Sequence, residues 1–228
     1  MIEGLRHLLF PEVCVACGKL LDQGEEQICT ECFTAFDPFP GVEAGGEALR
    51  RLVRGHFGAG AEPDEAWCLY PYRHGGRLHD ALHGLKYGGL YPLGALFGRK
   101  LAGLVAGSPR SFDAVVPVPL HALKKIERTY NQSEKIAEGV AGVLGLPVLG
   151  RALVRHRFTD SQTGLDARSR SRNVRDAFSA GPIPAPRRVL LVDDVVTTGA
   201  TLVAAATALK RHGAASVAFA TVALTEIS

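Results

Sequence analysis

The chain has 228 residues, 46% of them hydrophobic and 21% charged, which is enough apolar surface for one well-filled core and a small appendage. A disordered, collagen-like or disulfide-scaffold chain is thereby excluded. Twenty-six Lys and Arg against 23 Asp and Glu leave a surplus of three, too small to mark a nucleic-acid binder. The first ten residues hold Glu3, Arg6 and His7 and lack the pattern of a signal sequence, and no run approaches 18 apolar residues. A cytoplasmic protein without a transmembrane helix is expected.

Four of the five cysteines follow at once, as Cys14-Val15-Ala16-Cys17 and Cys29-Thr30-Glu31-Cys32. Two thiolates three positions apart reach one ion when the backbone turns tightly between them, and two such knuckles complete a tetrahedron. Gly18 suits the turn after the first pair. Two disulfides are the alternative, disfavoured where cytosolic thiols stay reduced. A structural zinc is expected within residues 1–37, because four thiolates leave no open position for catalysis. Cys68, in the strand-like run around it, reads as a small core residue.

Residues 38–63 contain six Gly and three Pro and read as a linker or irregular segment, ahead of a second unit over 64–228. In that unit Trp67–Arg73 reads as a strand and Leu90–Val105 as a helix with Leu93, Phe97, Leu101 and Leu104 on one face. His74, His79 and His83 share one window; 79 and 83 have helical spacing, but no third ligand is apparent and a surface or packing role is expected. Ala114–Val118 is a short buried strand ending at Pro119. Asn131–Leu144 is a helix capped by Asn131, with Glu134 at the capping-box position. Pro147–Val154 and the segment around Ala177–Ser179 are candidate strands flanking a polar excursion. Residues 151–175 carry seven Arg against Asp160 and Asp166, which suits forked recognition of phosphate or a solvated positive face. Val189–Val192 is an apolar strand, Ala200–His212 a helix closed by Gly213, and Ser216–Leu224 a final strand. Such alternation implies an α/β fold with a parallel sheet flanked by helices.

The run Val189-Leu190-Leu191-Val192-Asp193-Asp194-Val195-Val196-Thr197-Thr198-Gly199-Ala200-Thr201 carries the most chemistry. An apolar strand delivers two carboxylates at its C-terminal end, where parallel sheets bind ligands. A Thr/Gly loop and a helix N-terminus follow, a ready site for a phosphate monoester. Two acids beside a phosphate need neutral donors or a cation as their own targets, such as vicinal ribose hydroxyls or magnesium. Together these features indicate a ribose 5-phosphate.

This run resembles the phosphoribosyl pyrophosphate motif of type I phosphoribosyltransferases. The whole chain resembles the ComF family of competence proteins, which couples a four-cysteine zinc module to such a domain. The likeness extends through Leu85-Lys86-Tyr87-Gly88-Gly89, Val116-Pro117-Val118-Pro119-Leu120-His121, Arg128-Thr129-Tyr130-Asn131-Gln132, and the series Arg155, Thr159, Gln162, Arg168, Asn173 and Ala177-Phe178. One departure stands out: the family usually has Gly and an aromatic after the residue matching Arg128, where this chain has Thr129 and Tyr130.

The resemblance implies that Asp193 and Asp194 hold the ribose hydroxyls and that the backbone of Val195, Val196, Thr197, Thr198, Gly199, Ala200 and Thr201 cradles the 5-phosphate. It implies a pyrophosphate loop at Pro119, Leu120 and His121, with Arg128 nearby, and a mobile catalytic loop bearing Arg155, Arg157, Gln162 and Arg168. Lys86 joins this set or is a solvent lysine before a turn. Zinc on Cys14, Cys17, Cys29 and Cys32, and magnesium with phosphoribosyl pyrophosphate, are the implied cofactors. Two functions compete: a magnesium-dependent transferase of unknown acceptor, whose base-reading residues could be Tyr70, Tyr72 and Tyr87, and a non-catalytic module regulated by the ligand. The second would contact single-stranded DNA through the Arg-rich stretch or dock proteins of a DNA-uptake machinery. Between Pro11 and Asp37 the only cation is Lys19, so the cysteine module is no phosphate-backbone contact.

Overall fold

The computed structural model describes residues 12–120, 124, 127–156, 177–181 and 187–225. Its strands are β1 (Ala66–Tyr72), β2 (Ala114–Pro117), β3 (Leu153–Arg155), β4 (Phe178–Ala180), β5 (Arg187–Val196) and β6 (Ala214–Thr225). Its helices are α1 (Thr30–Ala35), α2 (Ala44–Phe57), α3 (Arg77–Tyr87), α4 (Tyr91–Val105), α5 (Gln132–Leu144) and α6 (Ala200–Arg211). Four strands pair in parallel in the order β1-β6-β5-β2.

Both faces of this sheet are covered, so the middle stretches of its central strands are apolar and alternate between two cores. Leu190, Val192, Ala218, Ala220 and Val222 pack with Phe97, Leu101, Ile136 and Val140 of α4 and α5. Val189, Leu191, Val217 and Phe219 pack on the other side with Leu49, Leu52 and Val53 of α2 and Leu202 and Leu209 of α6. Each fully buried side chain of this size contributes roughly 1.5–3 kcal/mol. The α5 helix is bounded as its sequence implies: Asn131 accepts from the Ser133 N–H at 3.2 Å, and Gly145 closes it at φ +67°.

Three expectations change. The stretch 38–63 is not irregular: most of it is α2, whose Leu49, Leu52 and Val53 are buried. The glycines that suggested a linker are there for contact, since a Cβ on Gly45 would lie 2.1 Å from the Cys68 carbonyl oxygen and one on Gly46 1.9 Å from that of Ala66. Pro147–Val154 is not one strand. Val148 makes a single parallel bridge to Val115, and the chain then turns at Gly150 before β3 pairs antiparallel with β4. Tyr70 cannot read a base, because it is buried with its ring 5.4 Å from Phe36 and 6.4 Å from Phe97.

At the family's Gly position, Thr129 takes φ +62°, a left-handed conformation that a β-branched residue adopts only under strain. Tyr130 keeps its place by donating its hydroxyl to the Leu85 carbonyl. Among the described residues no helix is long and apolar enough to cross a membrane.

Candidate functional site

At the C-terminal end of the sheet lies a cavity of about 230 Å³ lined by Asp193, Asp194, Val195 and Thr201, with Pro119 and Leu120 beyond β2. Its cations are Lys86 from α3, Lys124, Arg128 and, from the end of β3, Arg155. Gln132 and Ser133, the first residues of α5, complete the wall with Val118. Sequence reasoning thus anticipated nine of these positions and missed Val118, Lys124, Gln132 and Ser133. The signal for the last two was present, as two polar residues opening a helix whose N-terminus faces the carboxyl ends of parallel strands.

Asp193 and Asp194 are 8% and 6% exposed. Ser133 Oγ donates to Asp193 Oδ1 at 2.8 Å, and Gln132 Nε2 donates to Asp194 Oδ2 at 3.2 Å. Lys86 Nζ lies 3.1 Å from Asp194 Oδ2, and the Val195 N–H donates to Asp194 Oδ1 at 2.7 Å. Burial pushes the Asp193 carboxyl up to about 7, reinforced by the neighbouring Asp194 charge. Burial would raise Asp194 as well, but the Lys86 ammonium, the Val195 N–H and the charge of Arg128 together hold it below the usual carboxylate range. The two neighbours are thus driven in opposite directions, Asp194 toward its ionised form and Asp193 toward its protonated one.

The cations are themselves positioned. Arg128 lies over the Tyr87 ring at 5.0 Å and donates to its hydroxyl at 3.1 Å. Arg155 stacks 5.4 Å from Phe178, and burial lowers its pKa against the opposing pull of Asp193. The Val196 side chain, at the end of β5, turns into the core, and in the loop that follows Gly199 caps α6 at φ +80°. The Cβ that Gly199 lacks would meet Val53 at 3.0 Å, so its smallness also serves helix α2. Thr197 and Thr198 are exposed beside that cap, where Thr198 Oγ1 accepts from the Ala200 N–H at 3.4 Å. Residues 196–200 do not line the cavity itself. His121, Arg157, Gln162 and Arg168 lie outside the described residues.

A row of rings leads away from the cavity along α3. Tyr72, His74, His79, His83 and Tyr87 stand with successive centroids 4.8 to 6.2 Å apart, and Tyr87 is 58% exposed.

The second cluster is the N-terminal one. The thiol sulfurs of Cys14, Cys17, Cys29 and Cys32 lie within 4.8 Å of one another. A tetrahedron with Zn–S bonds of about 2.3 Å has edges of about 3.8 Å, and Cys17 and Cys29 stand 3.8 Å apart. Burial would raise Cys14, yet the N–H groups of Cys29, Ala16 and Cys17 overcome this and lower it to about 7. Burial and the neighbouring thiols push Cys29 and Cys32 upward, a cost that a divalent cation offsets. Arg77 donates to Cys32 Sγ at 3.6 Å, so an outer cation supports the cluster. The site fits a closed, structural zinc.

Known proteins are similar to this chain. Residues 73–226 match the phosphoribosyl transferase domain family. Competence protein F of Haemophilus influenzae is 27% identical over 199 residues, 83% of this chain and 86% of that protein. DNA utilization protein YhgH of Salmonella typhimurium is 35% identical over 141 residues, 60% of this chain and 62% of that one. Among solved structures, the glutamine phosphoribosylpyrophosphate amidotransferase of B. subtilis is 26% identical over 55% of this chain and 25% of its own, with a TM-score of 0.39. The domain match takes in more than half of the chain and the four-sulfur module precedes it, so this protein belongs to the phosphoribosyl transferase domain family and, within it, to the ComF group.

Proposed function

We propose that the cavity binds phosphoribosyl pyrophosphate with magnesium, and that the protein, acting in the cytoplasm, serves the uptake or use of DNA, a role that the names of its relatives suggest. In this reading residues 1–37 are a zinc-binding module and 64–228 the phosphoribosyltransferase-like domain, which α2 joins by packing on β1. The observation that carries the proposal is the pair of buried acids at the end of β5, set among Lys86, Lys124, Arg128 and Arg155. Acids alone would repel a phosphate and cations alone would not distinguish a sugar; together they fit a ligand with a diol at one end and phosphates around it. Asp193 and Asp194 accept from the ribose hydroxyls, the loop from Val195 to Thr201, which meets the cavity through its two end residues, takes the 5-phosphate on its backbone N–H groups at the cavity rim, and Arg128 and Arg155 face the diphosphate. Magnesium, when bound, offsets the diphosphate charge, and hard carboxylate oxygens suit it. If transfer to an acceptor occurs, the same cations stabilise the leaving diphosphate.

Calorimetry tests this directly. Wild type is expected to bind phosphoribosyl pyrophosphate in the presence of magnesium, and an Asp193→Asn, Asp194→Asn double variant to lose at least about tenfold, the scale of one or two charge-assisted hydrogen bonds. Equal affinity of the two proteins would end the proposal.

The ring row, exposed at His74, His83 and Tyr87, favours a second role, a platform on which bases of single-stranded DNA stack beside the cavity. Base stacking on an aromatic side chain contributes roughly 1–3 kcal/mol per base. Tyr87→Ala should therefore weaken oligothymidine binding about tenfold, and the remaining affinity should fall as salt rises. An unchanged affinity in Tyr87→Ala and His83→Ala would remove this role without touching the first.

A further inference from the structure

We infer that Gln132 reads a hydroxyl of the bound sugar and so selects a fully hydroxylated pentose phosphate over a deoxy one; this rests on the sugar-phosphate reading of the cavity. Gln132 is 4% exposed and lines the cavity. Its Nε2 donates to Asp194 Oδ2 at 3.2 Å, and its Oε1 is buried with no hydrogen-bond partner. The orientation of the amide is dictated by charge. Lys86 keeps Asp194 ionised from 3.1 Å, and an ionised carboxylate only accepts, so the amide nitrogen must face it and the oxygen must face elsewhere.

The acids are already heavily engaged. Asp194 Oδ2 takes Lys86 and Gln132, and Oδ1 takes the Val195 N–H. Asp193 Oδ1 takes Ser133 Oγ and the Asp194 N–H. Alongside whatever hydroxyl these carboxylates accept, Gln132 Oε1 is a further acceptor on the same cavity wall, and it has no partner of its own. A buried acceptor without a donor is unfavourable, and Met or Leu would fill the same space without leaving one. What the oxygen lacks is one neutral donor hydrogen. A sugar hydroxyl supplies it, whereas a phosphate oxygen cannot.

A cycle that pairs Gln132→Met with deletion of each sugar hydroxyl tests the assignment. Ribose 5-phosphate, 2-deoxyribose 5-phosphate and 3-deoxyribose 5-phosphate are titrated into the full-length protein and into the variant, with inorganic phosphate as the reference probe. The expected result is that wild type prefers ribose 5-phosphate to one of the deoxy sugars by about tenfold or more, and that Gln132→Met loses about fivefold of that preference, a larger change than any in its phosphate affinity. Preferences within twofold of wild type in the variant overturn the inference while leaving the cavity reading intact. A coupling that exists only with magnesium present also overturns it, because the donor would then be a metal-bound water. If wild type binds none of the sugar phosphates, the cavity reading itself fails and this inference with it. Should Gln132→Met fail to fold by near-ultraviolet circular dichroism, Gln132→Leu carries the same cycle.

Discussion

Asp193 and Asp194 are neighbours in sequence and shift in opposite directions, and the difference lies in what each one faces. Lys86 reaches Asp194, while Asp193 has burial and a like charge working against its ionised form. The sign for stability follows. Asp193 is raised from an ordinary 3.8 to about 7, so between these values the folded protein holds a proton that the unfolded chain has released, and stability is lost as pH rises through that window. The depressed Asp194 contributes in the opposite sense, with stability lost only as pH falls below the ordinary carboxylate value. Asp193→Asn removes the first effect and, by taking away a neighbouring negative charge, leaves Asp194 still more firmly ionised. Its melting midpoint relative to wild type should therefore rise by several degrees between pH 4 and pH 8, measured by calorimetry. A difference that stays flat across that range would refute the assignment of the shift to burial. At this level the sequence was informative about kind and poor about arrangement. Two acids after an apolar strand announced a cation or a diol, yet the string marks Gln132 and Ser133, sixty residues earlier, only as polar residues opening a helix and not as the groups that hold those acids. Their positions read as helix capping, and capping chemistry and ligand chemistry use the same polar residues.

Helix α2 shows how a glycine can mislead. Gly45 and Gly46 count against a helix by about 1 kcal/mol each, and a run with six glycines therefore reads as a linker. Tertiary contact decides otherwise, because only a residue without Cβ lets α2 approach the backbone of β1. The same helix contains Gly55, where an added Cβ would meet nothing within 4 Å. Gly55→Ala should stabilise the protein by about 0.5–1 kcal/mol. Gly46→Ala gains the same propensity but drives a methyl into the Ala66 carbonyl, and should destabilise by about 1–3 kcal/mol. Denaturant unfolding of both variants tests the contrast, and equal effects would mean that packing on β1 is not why Gly46 is there. The elements with strong periodicity and clean ends, such as α4, α5, α6 and β5, were legible to within a few residues. The edges were legible only in part: the segment around Ala177–Ser179 read as a strand and is β4, but nothing local reveals its antiparallel pairing with β3, and the chain after α5 gives Val115 only a single bridge before it turns away.

The cysteine module is not an independent bead on the fold. Its Phe36 packs against Tyr70 of β1 and Phe97 of α4, its Phe33 lies under Lys100, and its buried sulfurs belong to the same apolar core as α4 and α5. Structural zinc binding is folding free energy in such modules. Removing the metal with a chelator should therefore lower the melting temperature of the entire protein as a single transition, by about 10 °C if some 3 kcal/mol is lost. Two separate transitions, with the main one unmoved, would show that the shared core transmits nothing.

The position of α3 adds a geometric consequence. Arg77 at its start donates to a sulfur of the cysteine cluster, and Lys86 near its end holds a carboxylate of the cavity. Nine helical rises of 1.5 Å set these anchors about 14 Å apart, and each residue advances the angle by about 100°. The helix is in effect a calibrated spacer: one extra residue between the anchors would swing the lysine a quarter-turn or more off its acid while the arginine stayed in place. Its length can change only by steps that restore the phase.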